Sequence, residues 1–61
     1  MLEAIMETYL VKFWLKNNAG FIEQKSEIVE AEGKNSHKLA EEFIIEKHKI
    51  EVKDIIGVYY Q

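Results

Sequence analysis

The sequence predicts an α+β fold: a single small ββαβ domain over residues 1–61, with a three-stranded sheet ordered 2-1-3 and one helix packed on one face. Three observations predict it. Thr8 to Lys16 carries apolar residues at both alternating positions, as a strand covered on each side requires. Asn17-Asn18-Ala19-Gly20 is a turn signal of the kind that closes a hairpin. A helical stripe then separates the second strand from a third, and such a crossover skips over the strand between them. Order 2-1-3 puts the doubly apolar strand in the middle, so composition and connectivity agree.

The first strand has Tyr9, Val11, Phe13 and Leu15 on one parity and Leu10, Lys12, Trp14 and Lys16 on the other. The second should run from Phe21 to Glu32. Its apolar residues split between parities, Phe21, Val29 and Ala31 against Ile22 and Ile28, and a bulge near Lys25-Ser26 would reconcile them. Its many charges suit an edge strand protected against stray pairing. Gly33 ends it, and Asn35 or Ser36 is the expected helix cap. The helix should span His37 to His48, burying Leu39, Ala40, Phe43 and Ile44 at i, i+3, i+4 spacing. Ile50 and Val52 are expected to tuck the connection against the core, and Ile55 to Tyr60 forms the third strand, with Gly57 allowing close packing.

A 7.2 kDa chain of 61 residues exposes roughly 4,000 Å² when folded and buries about 60% of its unfolded surface. Domains this small commonly need a disulfide, a metal or a second subunit. There is no Cys, which removes disulfides, thiolate metal sites and thiol nucleophiles and makes self-association the expected supplement. No apolar run approaches the ~20 residues that span a bilayer, and no secretory signal is visible, so the expected location is cytoplasmic, away from membranes. Residues 1–7 read either as an extension ahead of an alternative start at Met6 or as an apolar flap built from Leu2, Ile5 and Met6.

Eight Lys, no Arg and eleven acidic residues give a net charge of −3. Arg is the usual bidentate reader of phosphate and guanine, so nucleic acid is a poor partner. Glu23, Glu27, Glu30 and Glu32 face only Lys25 in the second strand, which predicts one acidic edge.

One helix covers one face of a three-stranded sheet. With Tyr9, Val11, Phe13 and Leu15 facing the helix, Leu10 and Trp14 face outward and one of Tyr59 and Tyr60 joins them, an apolar patch that marks an interface or, alternatively, is covered by residues 1–6 folding back over it. Ile45 lies opposite the expected buried stripe and is a second candidate contact. His37 and His48 read as solvated helix ends, about 16 Å apart along the axis and too far to share a metal. Glu41, Glu42 and Glu46 lie among polar neighbours on a solvated helix, without the burial or close like charges that a catalytic carboxylate needs. No phosphate loop, hydrolytic triad or metal-ligand motif is present. The sequence therefore predicts no enzyme, no metal and no cofactor.

The compact strand opening Tyr9-Leu10-Val11, the acidic second strand, Leu39-Ala40-Glu41-Glu42 and the closing Val52-Lys53-Asp54-Ile55-Ile56-Gly57-Val58-Tyr59 resemble small accessory proteins encoded by phages and prophages of low-GC bacteria. Lys without Arg fits AT-rich coding. The resemblance implies binding to, and inhibition of, one host protein, antiphage-defence components included; no residue role carries over. The expectation is a homodimeric protein-binding module. A single-stranded nucleic-acid binder using the aromatic sheet face and a structural subunit of a larger assembly are the alternatives.

Overall fold

The computed structural model describes residues 5–61. Strand β1, Met6–Lys16, pairs with β2, Ile22–Glu32; helix α1, Ser36–His48, and a single 3₁₀ turn, Val52–Asp54, lead into β3, Ile55–Tyr60. The sheet order is β2-β1-β3 with β1 antiparallel to both neighbours. The ββαβ order and the central position of the doubly apolar strand are as the sequence predicts.

Asn17 builds the hairpin turn with its side chain. Its Oδ1 accepts from the Ala19 and Phe21 N–H groups at 2.9 and 3.0 Å, while its Nδ2 donates to Glu23 at 2.9 Å. Gly20 supplies the positive φ of 88°. The β1–β2 register then runs unbroken from Lys16↔Ile22 to Met6↔Glu32, so the bulge expected near Lys25-Ser26 is absent. The two parities of β2 need no reconciling: Val29 packs in the core, and Ile28 pairs with Leu10 on the other face. The one irregularity lies between β1 and β3, where Lys12↔Gly57 is followed by Phe13↔Ile55 and Ile56 is the extra residue.

The core is Tyr9, Val11, Phe13, Val29, Ala40 and Ile44, with Leu15, Ala31, Ile50, Ile55 and Val58 packed against it. The helix does not bury the expected stripe. Ser36, Ala40 and Ile44 are its buried residues, whereas Leu39 and Phe43 are 47% and 51% exposed and Ile45 is half-buried. At 100° per residue the fully buried residues centre on Ala40, roughly 30° from the centre of the apolar stripe and on the side away from Leu39 and Phe43. Polar bonds at both ends account for the rotation. The Ser36 hydroxyl lies 2.6 Å from the Tyr9 hydroxyl and donates to Glu7 Oε2 at 3.1 Å; the Tyr9 hydroxyl reaches the same oxygen at 2.8 Å. At the other end His48 lies over Phe13 with ring centroids 4.9 Å apart and its Nε2 is 3.0 Å from Glu27 Oε1. Ser36 and His48 bracket Ala40 and Ile44 on the helical wheel, and Ile45 is carried inward with them.

Neither Asn35 nor Ser36 caps the helix with its side chain, because the Ser36 hydroxyl is spent on Tyr9 and Glu7. Lys49 ends the helix in the left-handed region, at φ 55° and ψ 46°, with its N–H bonded to the Ile45 carbonyl. Ile50 returns to the core as expected, but Val52 stays exposed. The 3₁₀ turn carries it outward, held by the Asp54 carboxylate accepting from the Glu51 N–H at 3.0 Å.

Two substitutions test this framework. Ser36→Ala removes the buried hydroxyl and should lower the unfolding free energy by about 1–2 kcal/mol, read by urea denaturation; unchanged stability would mean that the bond does not hold the helix. Lys49→Gly relieves the left-handed conformation and should raise stability by about 0.5–1 kcal/mol in the same measurement, whereas a loss would contradict the cap geometry.

Candidate protein-interaction surface

Alternation along β1 sends Met6, Thr8, Leu10, Lys12, Trp14 and Lys16 to the face away from the helix. Paired residues share a face, so β2 adds Glu32, Glu30, Ile28, Ser26, Gln24 and Ile22, and β3 adds Tyr59 and Gly57. Leu10, Ile28 and Tyr59 form one row across all three strands, with Trp14 two rows towards the hairpin turn, beyond the row of Lys12, Ser26 and Gly57. Trp14 is 43% exposed, Ile28 56% and Tyr59 47%. Leu10 is half-buried beneath them.

Gly57 shapes this row. A Cβ there would lie 2.6 Å from the Tyr59 hydroxyl, so the glycine is what lets the Tyr59 ring fold back along its own strand. Lys12 Nζ sits 5.4 Å from the centroid of that ring, a cation–π contact that leaves the lysine on the face beside the apolar row.

Strand parity separates the two tyrosines. Tyr59 joins Leu10 and Trp14; Tyr60 pairs with Tyr9 and lies on the helix side, its ring 5.7 Å from the Tyr9 ring in an edge contact. Tyr60 therefore does not belong to the outer patch. Ile45, turned inward with the helix, is not an outward contact either.

The expected acidic edge is divided the same way. Glu23 and Glu27 are on the helix side and already paired: Glu23 with Asn17 and Lys25, Glu27 with Lys47 at 2.6 Å and His48 at 3.0 Å. Glu30 and Glu32 lie on the outer face, at the end away from the hairpin turn. The Glu27 carboxyl is held below its ordinary 4.5 by the Lys47 bond, against partial desolvation, with His48 adding to the lowering. Glu23 is lowered by Asn17 first and then by Lys25.

His48 is the residue that periodicity misses most clearly. It is not a solvated end but a partly buried ring between Phe13 and Glu27. His37 remains exposed, with its ring edge-on to Tyr9 at 5.8 Å. The Tyr9–Ser36–Glu7 triangle is the most buried polar group. The Ser36 bond favours the Tyr9 phenolate, but the Glu7 bond with burial outweighs it, and the phenol is pushed up. Two hydroxyl protons serve three contacts, so the triangle is a closed clasp with no free nucleophile.

An open groove of about 440 Å³ lies where the hairpin end passes the helix C-terminus, lined by Trp14, Leu15, Ile22, His48, Ile50 and Asp54 among others. Among the described residues no three His, Asp or Glu side chains are grouped as a metal would need. No helix of the described residues is long and apolar enough to cross a membrane. No family model matches the chain, and neither a curated protein nor a solved structure does.

The Glu27 cluster gives a pH prediction. A carboxyl whose folded pKa is depressed contributes stability above its unfolded value and loses it as pH falls through the folded one. Stability should therefore decline below about pH 4.5, and Glu27→Gln should lower it at pH 7 while making the acid decline shallower. Thermal unfolding from pH 7 to pH 3 reads both; an equally steep acid decline in the variant would show that Glu27 is not one of the groups responsible.

Proposed function

We propose that this chain is a non-enzymatic protein-binding module whose working surface is the open sheet face. One observation carries the reading. Leu10, Ile28 and Tyr59 form an apolar row, with Trp14 two rows towards the hairpin turn beyond Lys12, on a face that the helix, on the other side of the sheet, does not cover. Exposed apolar side chains set among charged ones in this way are typical of protein interfaces, and Trp and Tyr are the side chains that most often dominate their energetics.

The chemistry of the borders agrees. Lys12 and Lys16 lie towards one end, Glu30 and Glu32 towards the other, and Thr8, Gln24 and Ser26 between and beside them. This is an apolar centre with a polar rim. The resemblance to phage-encoded accessory proteins extends the reading to inhibition of a host or antiphage-defence protein. Base stacking on Trp14 and Tyr59 is the rival use of such a face. The net charge of −3 and the absence of Arg disfavour it.

A photo-reactive phenylalanine analogue at position 14 tests the reading, with the same analogue at position 38 on the exposed side of the helix as control. Irradiation in cells making the protein should give protein adducts from position 14 and few from position 38. Equal adducts from both positions, or oligonucleotide-dependent quenching of Trp14 fluorescence at low salt, would contradict it.

A further inference from the structure

We infer that the occupant of the open sheet face is a second copy of this chain, packed face to face with its strands antiparallel to those of the first. The inference rests on the protein-binding reading and adds the partner and its orientation. Three observations carry it.

The first is the distribution of charge along the face. In β1 and β2 the hairpin-turn half carries Lys12 and Lys16 and the opposite half carries Glu30 and Glu32; Leu10 and Ile28 lie between them. A two-fold axis in the plane between two such sheets, crossing the strands at the level of Leu10, superposes the turn half of one copy on the far half of the other. Lys12 of each copy then lies over the row holding Thr8 and Glu30 of its mate, and Trp14 over the row holding Met6 and Glu32. Of the antiparallel and parallel alignments, this one brings unlike charges together, Lys12 towards Glu30. With the strands parallel, Lys12 and Lys16 would meet Lys12 and Lys16, and like charges across an interface disfavour it. An isologous contact requires this kind of self-complementarity.

The second is area. The chain exposes 4875 Å², which exceeds the surface of a compact monomer of its mass by roughly 800 Å². A standard interface removes about 800 Å² from each partner. Closing the two faces together would restore the surface-to-mass ratio of an ordinary folded protein.

The third is shape. The radius of gyration is 12.8 Å, against roughly 10.5 Å for a compact chain of this length, with extents of 50 × 19 × 17 Å. Strands β1 and β2 of eleven residues span about 37 Å, whereas the thirteen-residue helix spans about 20 Å. Among the described residues the helix is the layer that packs on the hairpin, and the hairpin overhangs it, so a long shallow strip is left for a second sheet. Two sheets stacked at about 10 Å make the layered sandwich that such a strip can form.

Charge reversal tests the arrangement. One variant carries Lys12→Glu and Lys16→Glu, leaving the face wholly acidic; the other carries Glu30→Lys and Glu32→Lys, leaving it wholly basic. Light scattering across micromolar concentrations should show a wild-type dimer. Each variant alone should dissociate with a constant raised about tenfold or more, and an equimolar mixture should return to within a few-fold of wild type. Recovery on mixing also shows that both variants are folded. A monomeric wild type would overturn the second copy as occupant while leaving the protein-binding reading to the adducts from position 14. A wild-type dimer that both variants retain would overturn the antiparallel charge-paired arrangement.

Discussion

The structure depends on two polar contacts that hold one helix against one side of a sheet. Ser36 is tied to Tyr9 and Glu7 at the start of α1, and His48 is held between Phe13 and Glu27 at its end. Between them, Ala40 and Ile44 are the helix residues that fully enter the core. Two buried helical side chains contribute little apolar area, on the order of 1.5–3 kcal/mol for the isoleucine and less for the alanine. The orientation of the helix is therefore decided by where Ser36 and His48 find partners, and Leu39 and Phe43 are left outside although they are larger and more apolar.

That arrangement also explains why the other sheet face matters. The odd positions of β1 supply Tyr9, Val11 and Phe13 to the core, and the same β1 register commits Leu10 and Trp14 to the opposite side. A strand with apolar residues at both parities is suited to burial on both sides. The helix supplies one cover. The arrangement of Lys12, Lys16, Glu30 and Glu32 around Leu10 and Ile28 is the feature on which the proposed second cover rests. Gly57 and Tyr59 refine it: the ring lies along its own strand only because the glycine has no side chain, and it brings the third strand into the same apolar row.

Strand order was legible in the sequence because β1 is apolar on both parities and the connections allow few alternatives. The Asn17–Gly20 turn was legible too, although the decisive groups are the Asn17 side-chain atoms more than its backbone tolerance. Trp14 and Leu10 on the uncovered side followed from strict alternation, and so did Tyr59 once the register with Leu10 was set. The rotation of α1 was not legible. Apolar periodicity weights Leu39 and Phe43 and ignores a serine and a histidine, and the partners that draw those two inward, Glu7, Tyr9, Phe13 and Glu27, are between 21 and 35 residues away in the chain. The acidic edge failed for a simpler reason. Glu23 and Glu27 differ in parity from Glu30 and Glu32, so four carboxylates close in sequence are divided between two faces, and the first pair is neutralised by side chains that strand patterning does not reveal.

The central claim, that polar contacts at its ends set the rotation of the helix, is tested most directly by thiol labelling. The chain contains no cysteine, so Ile45→Cys and Phe43→Cys each introduce a single reporter on opposite sides of the predicted boundary. The rotated helix predicts fast modification at position 43 and slow modification at position 45, with the two rates converging when Ser36→Ala is added. Faster labelling at position 45 than at 43 would show that the helix follows its apolar periodicity after all, and would contradict the account.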